Sequence, residues 1–324
     1  MGAILRWLTG ACAAAVLSVA GAAAQSFPQK PLKFVVGFAP GGTADTVARI
    51  AADALSGEIG MAVVVENRAG AGGTIAATSV AAAAADGYTL LVNATSDVIN
   101  PIINKRAGYD IETSFVPIGL LASSPNALVV PASLAAASAK GLAEAGRAHS
   151  GALNYGSAGI GTVSHLAGAL FCSLAHVRCV HIPYKGTAAA QIDLLGGRLD
   201  FMFDGLASAQ GNARAGNVRM LAVTSAQRWP AAREVPGMAE SGYPGFDMLT
   251  WFGLLAPAAT PAPVVSRISE ALVRGLRNPE VRQRIATIGA QAGGMTQAEF
   301  ARYIRAEKAR WRKLFADGLV RVDE

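Results

Sequence analysis

The sequence predicts an α/β fold with two lobes, each an open and mostly parallel sheet flanked by helices, and a cleft between the lobes. β-type runs alternate with alanine-rich helical stretches in two separate series, and strands that feed helices in this order form parallel sheets. A helical segment follows the second series, and 324 residues suffice for two such units. We expect the chain to cross between the lobes near residues 122–126 and again near 248–251, because two strand-like crossings make a hinge.

The first series predicts three strands with a helix between each pair. The strands cover residues 32–38, 62–66 and 88–93, and the helices cover 43–56 and 74–85. A polar loop containing Asn100-Pro101 is expected over residues 94–110. A fourth strand over 115–121 is expected to break at Ser123-Ser124-Pro125-Asn126 before a short β-type run at 127–130.

The second series continues the alternation. It predicts, in order, a helix over 135–149, a strand over 153–155, a helix over 162–174, a strand over 180–182, a helix over 187–195, a strand over 199–203, a helix over 207–215 and a strand over 220–224. Residues 229–247 are expected to form a loop with short turns, and a strand over 251–256 precedes three C-terminal helices. The starts of these helices are marked by Pro261 and Pro263, by Asn278-Pro279, and by a capping box of Thr296 with Glu299.

Four strand-to-helix junctions share one pattern, in which glycines precede a threonine. The threonines are Thr43, Thr74, Thr162 and Thr187, and we expect each to be the N-cap of its helix. The glycines leave backbone N–H groups uncovered, and the first turn of a helix carries unpaired donors and a partial positive charge. Such a junction binds anions, so the sequence predicts a binder of a small negatively charged molecule.

The junctions at residues 38–45 and 157–164 are the strongest candidates for the site, because one belongs to each predicted lobe. The alternative is that both are ordinary strand-to-helix turns with good caps. Asp45 would repel an adjacent anion, so bracing the loop is its safer role. Asp97 and Asp204 follow predicted strands, where ligands meet α/β sheets, although either could merely cap a turn. Tyr184 could contact a ligand or pack at a strand end.

The two ends of the chain differ in what they predict. Residues 1–24 read as a signal peptide, with Arg6 before an apolar run and Ala22-Ala23-Ala24 before the cleavage point. The mature chain should therefore begin near Gln25 and be exported to a bacterial periplasm. The formal net charge is +6, and much of the basic excess lies after Arg267 in helical segments. This pattern is typical of a solvated helix face, so we expect no binding to nucleic acid. We also expect the protein to be a monomer.

The state of the cysteines has two possible interpretations. Cys12 lies in the predicted signal peptide, which leaves Cys172 and Cys179 in the mature chain. An even count in an oxidising compartment allows one disulfide bond, and the turn between a helix and the next strand could bring the two together. The alternative is two inert buried thiols.

Signals for an enzyme are poor. The run Gly156-Ser157-Ala158-Gly159 lacks the spacing of a nucleophile elbow, and no phosphate-binding glycine motif is present. The four histidines (His149, His165, His176 and His181) show no metal-binding pattern, so we expect no catalysis, no metal and no cofactor. His165 falls in the first turn of a candidate site helix, where a packed histidine is the commoner case. The enzymatic alternative is a secreted hydrolase using Ser157 or Ser164, which requires a histidine beside that serine.

Several segments together resemble one known family. They include PLKFVVGFAPGGTADTVAR (31–49), LNYGSAGIGTVSHLAG (153–168) and HIPYKGTAAAQIDLLGGRLDFMFD (181–204). The mature chain resembles, over essentially its whole length, the Bug (Bordetella uptake gene) family of periplasmic solute-binding receptors for tripartite tricarboxylate transporters. The resemblance implies a two-lobed, type II-like periplasmic-binding-protein fold, with residues 25–125 plus 247–324 in lobe 1 and 126–246 in lobe 2.

The resemblance also implies a ligand and partners. Ligands of this family are mostly small carboxylates, namely di- and tricarboxylic acids, acidic amino acids and aromatic acids, with one carboxylate held between two strand-to-helix loops, partly through bridging waters. The implied partners are integral membrane permease subunits, and the alternative is a sensor that presents its closed form to a histidine-kinase ectodomain. The candidate ligand-binding residues are Phe38, Pro40, Gly41, Gly42, Thr43, Asp45, Ser96, Asp97, Ser157, Gly159, Gly161, Thr162, Tyr184 and Asp204. The family usually has an uncharged residue or histidine where this chain has Asp97, so an Asp97 facing the cleft would favour a ligand with an ammonium group.

Overall fold

The computed structural model describes residues 27–148, 151–184 and 186–320. The predicted signal peptide, residues 1–24, lies outside these residues. Among the helices in the described ranges, none has the length and apolar character needed to cross a membrane.

Strands and helices alternate along the described chain. The strands are β1 (Leu32–Val36), β2 (Val63–Asn67), β3 (Thr89–Ala94), β4 (Phe115–Pro131), β5 (Leu153–Ser157), β6 (Cys179–Pro183), β7 (Phe201–Gly205), β8 (Val218–Val223), β9 (Leu249–Pro257) and β10 (Gln291–Ala292). The helices are α1 (Thr43–Ile59), α2 (Thr74–Ala81), α3 (Thr95–Ile103), α4 (Ala139–Ala148), α5 (Val163–Ala175), α6 (Thr187–Leu195), α7 (Leu206–Arg214), α8 (Ala262–Arg277), α9 (Pro279–Thr287) and α10 (Gln297–Ala316). A short 3-10 turn, Ala71–Gly73, precedes α2.

The strands form a mixed sheet in the order β2-β1-β3-β9-β4-β7-β5-β6, and β8 and β10 also pair with β4. β1 pairs in parallel with β2 and β3, and β5 pairs in parallel with β6 and β7, as the two predicted series require. β9 and β4 pair antiparallel with each other and with these triplets. The sheet is therefore mixed rather than mostly parallel, because the chain leaves the first triplet along β4 and returns along β9.

β4 is one continuous strand of 17 residues, so the predicted break at residues 123–126 is wrong. The strand changes partner at this point: Pro125 forms the last register pair with β9, opposite Leu249, and Asn126 forms a pair with β7, opposite Gly205. Proline lacks the N–H that a ladder needs and is tolerated where pairing changes. We propose that the two lobes divide here, with residues 25–125 and 247–324 in one and 126–246 in the other.

α3 occupies part of the segment that was predicted to be a polar loop, so that prediction is also wrong. The carboxylate of Asp97 accepts a hydrogen bond from the Ala94 N–H at 2.7 Å and starts the helix. Pro101 lies inside the helix and has no N–H to donate to the Asp97 carbonyl four residues earlier. The Tyr109 hydroxyl donates to that carbonyl at 3.1 Å instead. A side chain from outside the helix thus supplies the hydrogen bond that Pro101 cannot make.

The C-terminal helices pack against β4, β9 and the helices α1 and α3 of the first series. The Trp251 Nε1–H in β9 donates to Glu307 of α10 at 3.0 Å, and the Trp251 ring meets the Phe300 ring edge-on at 5.8 Å. Both Trp251 and Phe300 are fully buried. The predicted helix starts are confirmed for α9, which Asn278 caps, and for α10, where Thr296 and Glu299 form the capping box.

Candidate functional site

The loop between β1 and α1 is held in place by one buried carboxylate. Asp45 accepts hydrogen bonds from the Gly41 N–H at 3.0 Å, from Asn67 Nδ2 at 3.0 Å, and from the Arg49 guanidinium at 2.9 and 3.0 Å. Burial alone would raise the pKa of Asp45, but the hydrogen bonds from Arg49 and Gly41 outweigh it and hold the pKa below its usual value. Asp45 therefore braces the loop.

The N-terminus of α1 is open. Residues 39–43 are exposed, and a Cβ on Gly41, which has φ +83°, would meet nothing within 4 Å. The first intrahelical hydrogen bond runs from the Thr46 N–H to the Gly42 carbonyl at 3.0 Å. The N–H groups of residues 43–45 therefore lie at the end of the helix, free of intrahelical partners.

The predicted threonine caps are correct at one junction of four. Thr162 is the N-cap of α5, and its Oγ1 accepts from the His165 N–H at 3.4 Å. At the other three junctions glycine is the N-cap and threonine is the first helical residue: Thr43 after Gly42, Thr74 after Gly73 and Thr187 after Gly186. Two of these glycines have positive φ, 102° at Gly73 and 107° at Gly186, which threonine rarely adopts.

The loop between β5 and α5 is more buried than the first loop, and its amides are engaged. Four N–H groups donate hydrogen bonds at 3.0 to 3.3 Å, those of Ala158, Gly159, Gly161 and Thr162. Their acceptors are, in the same order, the Ser164 hydroxyl, the Ser157 hydroxyl, Nδ1 of His165 and the Gly159 carbonyl. The expectation of uncovered amides thus holds for residues 43–45 at the N-terminus of α1, but not for Gly41, which donates to Asp45, or for these four groups.

Each of the two loops lies against an element of the opposite strand series, and we call the line of these contacts the seam. The Thr43 Oγ1 lies 3.9 Å from the position that a Cβ on Gly205 would occupy. A Cβ on Gly161 would lie 2.7 Å from Oδ1 of Asn100 and 2.9 Å from Cδ1 of Ile103, both in α3. Asn100 also donates to the Gly72 carbonyl at 3.0 Å, so α3 ties the loop before α2 to the same seam.

Asp204 and Tyr184 have their polar atoms occupied by neighbours. Asp204 is buried and accepts from Gln191 Nε2 at 2.6 Å and from the Gly205 N–H at 2.9 Å. Burial raises its pKa. The Tyr184 hydroxyl donates to Asp193 at 2.7 Å, and burial together with that carboxylate raises the pKa of Tyr184 to about 12. In this structure both residues brace the region around α6.

Ser96 and Asp97 lie in the first turn of α3 and are both buried. Within the described residues, the Ser96 hydroxyl and the Asp97 Oδ1 make no hydrogen bond. Asp97 Oδ1 lies 2.6 Å from the position of a Cβ on Gly73, so the carboxyl packs beneath the loop before α2 instead of facing open solvent. Burial raises the pKa of Asp97 to about 7 against the opposing effect of the Ala94 N–H. The condition for an ammonium-bearing ligand, an Asp97 that faces the cleft, is not met.

Ser157 has a histidine beside it, as the hydrolase alternative requires. Its Oγ lies 2.7 Å from Nε2 of His181. Ser157 is fully buried, however, and its hydroxyl also accepts from the Gly159 N–H. The hydroxyl therefore serves the internal hydrogen bonds of the loop.

The sulfur atoms of Cys172 and Cys179 are joined in a disulfide bond. The sequence allowed either a disulfide bond or two free thiols, and the structure contains the disulfide bond. It links the last turns of α5 to the first residue of β6.

Other features lie away from the seam. In the described ranges, no group of three or more His, Cys, Asp or Glu side chains is placed to hold a metal ion. A surface cavity of about 590 Å³ lies between β8 and residues 234–241, and no candidate residue lines it.

Sequence reasoning missed three side chains that organise the site. Asn67 helps to hold the first loop, Asn100 contacts the second, and His181 supports Ser157. Asn100 was not recognised as a site residue because the Asn-Pro dipeptide is typical of a loop, whereas in this structure the dipeptide lies in a helix. The partners of Asn67 and His181 are distant in the chain, so no local pattern pointed to them.

Comparison with known proteins agrees with this fold. The family model described as "Tripartite tricarboxylate transporter family receptor" matches residues 47–318. The chain is 41% identical over 293 residues to a protein of Pseudomonas sp. (strain P51) described as "UPF0065 protein in tcbD-tcbE intergenic region", covering 90% of this chain and 87% of that protein.

Solved structures extend the comparison. The periplasmic binding protein BugD is 36% identical with a TM-score of 0.82, covering 91% of this chain and 99% of that one. R. palustris Rpa4515, solved with adipate, is 36% identical with a TM-score of 0.83 and coverages of 89% and 97%. MatC from Rhodopseudomonas palustris, solved with bound malate, is 32% identical with a TM-score of 0.81 and coverages of 89% and 99%.

These similarities confirm the two-lobed α/β periplasmic-binding-protein fold and the absence of an enzymatic role that the sequence predicted. The family model spans most of this chain, and the chain covers almost the whole length of BugD, which is a periplasmic binding protein. The chain therefore belongs to the tripartite tricarboxylate transporter family receptors, the periplasmic solute-binding proteins to which the Bug resemblance pointed.

Proposed function

We propose that this protein is an extracytoplasmic receptor that captures a small carboxylate between the loop at 38–45 and the loop at 157–164. The observation that carries the proposal is that Thr43 at the open N-terminus of α1 lies near Gly205, at the end of β7, while Gly161 before α5 lies against α3. The solute is bound and released unchanged.

The N-terminus of α1 is the stronger of the two anion-binding ends. The N–H groups of residues 43–45 and the Thr43 hydroxyl lie at an exposed helix end, and the negative charge of Asp45 is balanced by Arg49. One helix terminus contributes about 0.3–1 kcal/mol towards an anion, and about 2 kcal/mol when partly buried. In the second loop the N–H groups left for a ligand are those of residues 160, 163 and 164, because the amides of Ala158, Gly159, Gly161 and Thr162 are engaged.

Dicarboxylates are the ligand class that we propose first. Two relatives of more than 30% identity were solved with adipate and with malate, both of which carry two carboxylates. A second carboxylate needs a site away from the first, and the two loops supply helix ends on opposite sides of one seam.

We also propose that the two lobes close on the ligand about the crossing segments of β4 and β9. These strands lie side by side where β4 changes partner, so bending both at this place would move one triplet relative to the other. In the periplasm the closed form would deliver its ligand to an integral membrane permease, as the family description implies.

The proposal can be tested by isothermal titration calorimetry of the chain from residue 25 with malate, adipate, citrate, glutamate and benzoate. We expect at least one dicarboxylate to bind with a Kd in the micromolar range or below. Thr43→Val should weaken this binding by about tenfold or more, because it removes a hydroxyl donor to a charged group. Thr187→Val is the matched control, since Thr187 also follows a glycine N-cap but lies after β6 at the sheet edge. Failure of all five acids to bind at millimolar concentration would contradict the proposal.

A further inference from the structure

Four rings are stacked behind the loop at 157–164. The Phe201 and Tyr155 ring centroids lie 5.4 Å apart, those of Tyr155 and His181 4.9 Å apart, and those of His181 and His165 3.9 Å apart. The planes of adjacent rings differ by 15° to 27°. The stack thus runs from the hydrophobic core at Phe201 to two imidazoles beneath the loop.

Each imidazole holds a different part of the loop. Nδ1 of His165 accepts the Gly161 N–H at 3.2 Å, and Nε2 of His181 lies 2.7 Å from the Ser157 hydroxyl. Ser157 ends β5, and Gly161 lies four residues later, directly before the N-cap of α5. The two contacts therefore fix both ends of the turn.

The stack has little room to shift. A Cβ on Gly168, in the middle of α5, would lie 2.2 Å from the Tyr155 ring, so the helix backbone rests directly on that ring. Tyr155 and His165 are both buried. Because the rings are packed so closely, the hydrophobic core fixes the positions of their nitrogen atoms, and the loop does not.

His165 is neutral in this position. Burial, with a further effect of the adjacent His181, lowers the pKa of His165 to about 3. A neutral imidazole whose Nδ1 accepts a hydrogen bond carries its proton on Nε2. The acceptor for Gly161 is therefore present throughout the physiological pH range.

The orientation of the Gly161 peptide affects a contact between the lobes, because the Cα of Gly161 lies against α3 of the opposite lobe. Gly161 has φ +76°, and a Cβ there would collide with Asn100 and Ile103 of α3. A turn of the peptide that released the Gly161 N–H from His165 would also change this contact. The histidine behind the loop thus influences the surface in front of it.

We propose that His165 and His181 are positioning residues for ligand binding, which set the conformation of the loop at 157–162 through Gly161 and Ser157 without touching the ligand. This inference rests on the proposed carboxylate-binding function of that loop. It assigns each histidine one nitrogen: Nδ1 at His165 and Nε2 at His181.

This assignment can be tested by amide replacements, because the side-chain oxygen of asparagine lies near the position of Nδ1 and that of glutamine near Nε2. The four variants are His165→Asn, His165→Gln, His181→Asn and His181→Gln. All four lose the ring, so each pair is matched for the loss of stacking. Binding of malate and adipate is measured by calorimetry, and hydrogen–deuterium exchange of residues 157–162 is followed without ligand.

We expect a crossed pattern. His165→Asn and His181→Gln should stay within about threefold of the wild-type affinity, and His165→Gln and His181→Asn should lose about tenfold, as expected for one hydrogen bond. Exchange in residues 157–162 should increase about tenfold only in the second pair. Equal losses in all four variants, or equal exchange, would overturn the inference and leave the histidines as packing residues.

Two further measurements separate this inference from its premise. If the wild type binds none of the five acids named above, the proposed function fails, while the exchange pattern still decides whether the histidines position the loop. Long-range ¹H–¹⁵N NMR of the wild type needs no variant and should show His165 protonated on Nε2 and unprotonated on Nδ1. A proton on Nδ1 of His165 would overturn the inference even if the variants failed to fold.

Discussion

The Tyr109 hydroxyl donates a hydrogen bond to the Asp97 carbonyl, the group that Pro101 leaves without its helical partner in α3. Both Tyr109 and Asp97 are buried. The start of α3, which carries Ser96, Asp97 and Asn100 to the seam, therefore depends on a residue that lies beyond the end of the helix.

Tyr109→Phe should destabilise the fold by about 1–3 kcal/mol, because it leaves a buried carbonyl without a donor. Urea denaturation measures the loss. Tyr88→Phe is the control: the Tyr88 hydroxyl accepts from the exposed Gln29 N–H, and its removal should cost less than about 1 kcal/mol. Equal costs for the two variants would show that Pro101 needs no substitute donor.

Gly161→Ala should impair closure and ligand binding beyond its backbone strain. The positive φ of 76° costs about 1–2 kcal/mol for a residue with a Cβ, and that Cβ would also collide with Asn100 and Ile103. Gly216→Ala supplies the matched control, since Gly216 has φ +74° and open space around it.

Gly161→Ala should lose at least as much stability as Gly216→Ala, but only Gly161→Ala should lower carboxylate affinity, by about tenfold or more, and enlarge the radius of gyration in small-angle scattering. An unchanged affinity in Gly161→Ala would show that the contact with α3 is dispensable.

Asp97→Asn should change the pH dependence of stability. The pKa of Asp97 rises from 3.8 to about 7 in the folded chain, so the folded state binds more protons than the unfolded state between these values. The stability of the wild type relative to the variant should therefore fall as pH rises from about 4 to 7, by up to about 1.4 kcal/mol per pH unit.

Urea titrations of both proteins at pH 4.5, 5.5, 6.5 and 7.5 measure this difference, in which other titrating groups cancel. A difference that stayed constant across the series would mean that Asp97 is ionised throughout.

Reduction of the Cys172–Cys179 bond should lower the free energy of unfolding by about 2 kcal/mol, because a loop this short loses little conformational entropy when it is closed. Thermal melts with and without a phosphine reductant measure the effect. The double variant Cys172→Ala with Cys179→Ala should melt near the reduced wild type and ignore the reductant. A wild type that the reductant leaves unaffected, with both thiols free to react, would contradict the bridge.

Local patterns predicted the repeated alternation of strands and helices, the Thr162 cap of α5 and the capping box of α10. Each of these depends on residues within a few positions of one another, so a sequence displays them directly. The predictions failed where a contact between distant residues overrode the local preference. Pro125 and Pro101 were predicted to interrupt regular structure. β4 continues through Pro125 because it pairs with β9 before this residue and with β7 after it. α3 continues through Pro101 because the Tyr109 hydroxyl replaces the missing N–H donor.

The sequence alone determined the class of the fold, the family and the two glycine-rich loops that form the candidate site. Only the tertiary structure decided which amides of those loops are open and which are engaged, because most of the acceptors are side chains whose positions depend on packing. His165 and His181 lie in different elements, and their rings come within 3.9 Å only when α5 packs against β5 and β6. Hydrogen bonds between a loop and the core behind it are set by three-dimensional contact, which periodicity along the chain does not encode.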